Sequence, residues 1–204
     1  MSLPLSKAQV VKGTGWLITN FGPAISAAVA GKPYSRAILC AIACKETGFI
    51  WIPRTDMDPA DLLPRLIGDA SGDVAGHPRG VFPQNTAAFR AKFGPTFTNF
   101  LIAESNKARA MRGLGPAQIV YKGYGIYQYD LQHVTPDREF FENALWHTMD
   151  HCLERLTKEL DRTFAASHGD VRDGVRRYNG SGAAAQTYAD HVMAFAEFAK
   201  TIAP

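Results

Sequence analysis

No stretch of this chain is apolar for long enough to cross a bilayer as a helix. Cysteine is scarce: Cys40, Cys44 and Cys152 are the only three, and an odd count this low argues against a disulfide-stapled scaffold. Neither sign of charge dominates, since 22 Lys and Arg against 19 Asp and Glu leave a formal +3. That balance permits an anionic partner without arguing for one. No internal repeat, low-complexity tract or Gly-x-Ser-x-Gly element occurs, which excludes repeat arrays and the serine-hydrolase elbow. Gly113-Leu114-Gly115 is too short a glycine signal for a phosphate loop. Met1 to Lys7 lacks the charged-then-apolar pattern of a secretory signal.

What is present suits one well-filled domain: 204 residues, 46% hydrophobic and 20% charged. The most informative stretch runs from Ala37 to Phe49, almost unbroken in apolar and small side chains until it meets one carboxylate, Glu46. Ser35 can cap the start of a helix here, and Gly48 stands where a helix usually stops. A helix apolar nearly all round is a core helix. Glu46 is therefore expected in its last turn, at the edge of a hydrophobic interior and beside the negative end of the helix dipole. Desolvation and the dipole both disfavour a carboxylate, and a carboxyl that keeps its proton near neutral pH can serve as a general acid. The competing reading is a Glu that swings into solvent or pairs with a Lys or Arg. Cys40 and Cys44, one turn apart in this helix, read as small core residues.

The remaining pattern is mainly helical. Phe21 to Ala30 reads as a helix ended by Gly31-Lys32-Pro33, and Asp58-Pro59 opens a short one. Gly68 to Pro78 is loop by every local signal. Helices are predicted over 84–93 and 96–112, each followed by glycine, over the long apolar-periodic run from Asp137 to Phe164, from Asp170 to Tyr178, and over 186–202. Ile126 to Asp130 has the composition of a short strand or extended turn. The expected fold class is mainly α, or α+β with a minimal β element.

Three short pieces stand out in order: Glu46-Thr47-Gly48-Phe49, Gly125-Ile126-Tyr127-Gln128 followed by Tyr129-Asp130, and Tyr178-Asn179-Gly180. Their order and local contexts resemble the lysozyme-like superfamily, nearest to the goose-type lysozymes and soluble lytic transglycosylases. The resemblance covers about residues 34–50 and 121–200 and implies a lysozyme-like single domain over 1–204, with an insertion at about 50–115. It implies a glycosidase, muramidase or lytic transglycosylase, cleaving peptidoglycan strands in the periplasm or cell wall. Without a signal segment, such an enzyme is expected to be exported by another route or released by lysis. A monomer with no cofactor, no metal, no nucleic-acid partner and no membrane insertion is expected.

The chemistry explains the residue types. Breaking a glycosidic bond requires protonating a poor leaving oxygen while positive charge grows on the sugar ring. Glu46 would give the proton, and Asp130, about 6.5–9.5 Å across the bond, would activate a water in an inverting hydrolase. With no second carboxylate in range, the sugar's own 6-hydroxyl can attack and leave an anhydro end, as the transglycosylase resemblance implies. Gln128, Tyr127 and Gly125 would line the sugar site. Tyr178 would hold Glu46 through its hydroxyl, and Asn179 would bond the backbone or the sugar. Each has a plainer reading: Gln128 as an exposed strand residue, Asp130 as a turn residue, Tyr178 and Asn179 as a helix end, and the tyrosines at 121, 124, 127 and 129 as core. Three other functions stay open: an inactive glycan-binding module, a chitinase-like hydrolase, and a metal hydrolase built on His147 and His151, four apart on a predicted helix.

Overall fold

The computed structural model describes residues 2–204, and the chain is mainly helical with one minimal three-stranded sheet. It divides into two compact units, one formed by Met1–Asp56 with Leu153–Pro204 and the other by Met57–Cys152. The stretch expected as an insertion, 50–115, falls mostly in the second unit, which continues to Cys152.

The first unit is helical throughout. α1 (Lys7–Ala28) opens on a capping box in which Gln9 N–H donates to Ser6 Oγ and Ser6 N–H donates to Gln9 Oε1. It is longer than the sequence suggests and passes through Pro23. α2 (Arg36–Trp51) buries Ala37 through Cys44 without a gap and packs chiefly against α1 and α8 (Gly182–Ala199). Each fully buried Leu or Ile in it contributes about 1.5–3 kcal/mol. Ser35 takes the N-cap position by its backbone alone, without a side-chain cap. α2 does not stop at Gly48 but runs on to Trp51. Gly48 is there for close approach instead: a Cβ on it would lie 2.8 Å from Leu5 Cδ1. α6 (Met149–Ala166) and α7 (Val171–Asn179) complete the unit, α7 capped by Asp170 as its sequence indicates.

The second unit is built around short, irregular elements. Asp58 caps α3 (Pro59–Leu62), and Asn85 caps α4 (Thr86–Met111). α4 is two helices in line, broken at Gly94 (φ 80°) before Pro95, close to where the sequence separates them. β1 (Ile67–Gly68), β2 (Gly123–Tyr124) and β3 (Tyr129–Asp130) form an antiparallel sheet with Ile67 opposite Tyr124 and Tyr124 opposite Tyr129. The helical run expected from Asp137 is interrupted: α5 (Arg138–Glu142) ends, Ala144 turns left-handed at φ 51°, and a 3-10 turn covers Leu145–His147. The interruption lets the Trp146 indole N–H reach Pro64 O at 3.3 Å, a contact the periodic pattern does not encode.

Asp73 ties this unit's irregular chain together. Its carboxylate accepts from Thr86 N, Thr86 Oγ1 and the ammonium of Lys122, the last at 2.5 Å. The Lys122 side chain is wholly buried. A pair with one wholly buried member survives because each charge also has hydrogen-bond partners, Val120 O for Lys122 and Thr86 for Asp73. All three cysteines are free and buried, and burial pushes the Cys40 thiol up to about 12, away from nucleophilic use.

Candidate functional site

In the first unit, Glu46 leaves α2 where the helix emerges from the core between buried Cys44 and Thr47. Five further residues of helix follow it, so the dipole end is too far away to matter much. Burial carries the effect: desolvation raises its carboxyl to about 7, against the opposing pull of a hydrogen bond from Tyr188 and the charge of Lys45. The Tyr188 hydroxyl donates to Glu46 Oε1 at 2.6 Å. Tyr188 is itself buried, and burial together with the nearby Glu46 charge lifts its own hydroxyl well above the usual range, so it stays a donor.

Tyr178, at the end of α7, lies in the same cluster. Its ring centroid is 6.3 Å from that of Tyr188, and its hydroxyl is raised by burial and then by Glu46. A hydroxyl bond to Glu46 Oε1 comes from Tyr188, with Tyr178 beside it. Lys45 places its ammonium 5.3 Å from the Tyr188 ring centre. Beside this cluster opens a cleft of about 380 Å³, whose walls include Lys45, Asn179, Thr187, Tyr188 and His191. Burial first, then Lys45, holds the His191 imidazole below its ordinary pKa. One turn beyond Glu46, Phe49 leaves 66% of its surface exposed, the most exposed of the large hydrophobic residues described. Tyr188, Lys45 and His191 escaped the sequence reading. The one available signal was a tyrosine in the buried stripe Ala185, Ala189, Val192 of α8, where a phenolic hydroxyl must find a partner.

The other expected residues belong to the second unit, where the sheet gathers them. Gln128 is in the left-handed region (φ 53°), and its amide donates to Leu66 O at 3.1 Å and Gly125 O at 2.8 Å. Its Oε1 lies against the sheet: a Cβ on Gly123 or Gly68 would be 2.4 Å or 2.8 Å from it. Gln128 is therefore a brace for the turn and neither an exposed strand residue nor a side chain held ready in open solvent. Gly125 (φ 76°) is required by backbone and space together, because a Cβ there would meet Cys152 Sγ at 2.6 Å. Tyr127, 2% exposed, packs in the core with Tyr121 and Tyr124. Asp130 Oδ1 accepts from Gln132 N at 2.6 Å, capping the 3-10 turn Leu131–Val134, and from Arg79 Nη2 at 2.5 Å. Arg79 also stands 3.6 Å from Asp69, so one nearly buried guanidinium serves two carboxylates.

His147 and His151 do not share a helix. Thr148 between them is extended (φ −120°, ψ 145°), which breaks the spacing expected for two ligands on one face. His147 Nε2 instead lies 3.5 Å from Glu104 Oε2. Among the described residues no group of three or more His, Cys, Asp and Glu could hold a metal ion, and no helix is long and apolar enough to cross a membrane. No protein-family model, no curated protein and no solved structure matches this chain.

Proposed function

We propose that Glu46 is the general acid of an enzyme that cleaves the glycan strand of bacterial peptidoglycan, as a muramidase or a lytic transglycosylase. The observation that carries this reading is a carboxyl raised to about 7 and held by a tyrosine hydroxyl at 2.6 Å, beside a cleft of sugar-ring dimensions. A carboxyl raised to about 7, partly protonated and partly ionised at neutral pH, is matched to give a proton to a leaving oxygen and take one back. With Oε1 held by Tyr188, Oε2 would give the proton. Asn179 and Thr187 offer hydrogen-bonding groups to hydroxyl and N-acetyl substituents, and Phe49 offers an apolar face to a sugar ring.

The enzyme would act in the periplasm or cell wall.

Glu46→Gln tests the acid assignment. The variant should fold as the parent does and lose about 10²–10⁴-fold of its clearing of a cell-wall suspension; full activity would rule the assignment out. Wall retained by the parent protein in a pull-down, with no soluble sugar released, would make it a glycan-binding module instead. Release from chitin but not from wall would move the substrate to N-acetylglucosamine polymers. Mass spectrometry of the products separates the two enzymatic forms. Anhydro-muramic ends mark the transglycosylase, and reducing ends mark the hydrolase.

A further inference from the structure

On the other side of the α7–α8 turn the first unit has a second cavity, of about 320 Å³, lined by Arg162, Thr163, Arg176, Arg177, Gly180 and Ser181. No acidic side chain lines it. Two carboxylates hold the arginines from outside: Asp173 takes Arg176 at 2.7 Å and Arg177 at 2.6 Å, and Glu159 takes Arg162 at 2.8 Å. Three guanidinium groups against two carboxylates leave one positive charge uncompensated. Donors remain as well. Among the described residues Arg177 commits only its Nε, to Asp173, and Arg162 its Nε and Nη2, to Glu159. Ser181 occupies the N-cap of α8 but makes no side-chain cap, and the first turn of that 18-residue helix carries no acidic residue. The first-turn N–H groups of α8 add a partial positive charge at the cavity's edge.

From these features we infer that the cavity between Arg162, Arg177 and the start of α8 binds a tetrahedral oxyanion, the phosphoryl group of a ligand. The donors come from three directions: α6, the end of α7 and the start of α8. A planar carboxylate has two oxygens in one plane and would leave one of these sources unused, whereas a phosphoryl group presents three. Guanidinium forks suit such an anion, and their partial exposure makes the binding sensitive to salt. The inference does not rest on the reading of Glu46, since Asn179 lines the acid cleft while Gly180 and Ser181 line this one.

The test is an NMR titration of the full-length Glu46→Gln protein with inorganic phosphate, so that loss of catalysis cannot affect the outcome. Saturable shifts at the Gly182 and Ala183 amides and at the Arg162 and Arg177 side chains are expected. Arg162→Gln and Arg177→Gln should each weaken binding by about fivefold or more, and Arg177→Lys by less, because it keeps the charge and loses the fork. Arg138→Gln, at an exposed arginine paired with Glu142, should leave it unchanged. The proposal fails if phosphate does not saturate, if acetate binds as tightly, or if Arg138→Gln weakens binding as much as the other two.

Discussion

In the first unit the half-buried carboxyl Glu46 meets a neutral hydroxyl, that of Tyr188; in the second the half-buried carboxylate Asp73 meets an ammonium, that of Lys122. Both are carboxyls taken partly out of water, yet the consequences are opposite. Against a hydroxyl, desolvation wins and Glu46 holds its proton up to about 7. Opposite a wholly buried lysine, Asp73 serves as a fastener, because removing either partner leaves the other without its bond. The first unit gets its shape from helices packed on apolar faces and can leave one titratable group poised. Outside α4 the second is made of short elements, and polar side chains help to hold them.

Substitutions test that contrast directly. The largest stability effect is expected for Lys122→Ala, which strands Asp73 and should cost about 3–5 kcal/mol in chemical denaturation. A cost below about 1 kcal/mol would mean the pair is not a fastener, and the contrast between the units would lapse.

Next comes Glu46→Gln measured for stability. Folded Glu46 keeps its proton to about 7, whereas the unfolded carboxyl releases it near 4.5. The folded chain therefore holds an extra proton between those values. Stability from this group is full below pH 4.5 and falls as pH rises towards 7. Above that range the neutral Gln should be more stable than the parent by about 2 kcal/mol, less than the full shift would give because Glu46 is partly exposed. Equal stability at pH 8 and at pH 4 for parent and variant alike would show the carboxyl to be unperturbed.

A smaller loss, about 1–2 kcal/mol, is expected for Gln128→Ala in thermal unfolding, from its bonds to Leu66 O and Gly125 O. If Gln128→Ala instead leaves stability intact and abolishes wall cleavage, the residue serves the sugar and not the turn. The finest test is Tyr188→Phe. The hydroxyl lowers the Glu46 pKa, so its removal should move the high-pH limb of the activity profile upward by about one unit. A downward shift would contradict the direction assigned to this bond.

Much of the scaffold was legible in the sequence. The apolar run of α2, the caps at Asp58 and Asp170, and the break before Pro95 are all local signals, and each is where the sequence puts it. Local signals failed where a distant residue set the local conformation. Gly48 resembles a helix stop but exists for Leu5, and Ala144 sits in a run that looks helical until Trp146 turns to Pro64 O. The hydrogen-bonding capacity of Gln128 is legible in its residue type, whereas the two carbonyls its amide reaches, Leu66 O and Gly125 O, are not.

The sequence by itself determined that α2 would be buried and would bring one carboxyl to the edge of its core, because the apolar content of thirteen consecutive positions fixes burial without reference to partners. Which tyrosine holds that carboxyl, and which arginine and lysine hold Asp130 and Asp73, follows only from how the helices and loops pack. A hydrogen bond needs its atoms placed to within a few tenths of an ångström across 142 residues of chain in the case of Tyr188 and Glu46. No pattern of residue types carries that information until the helices have packed.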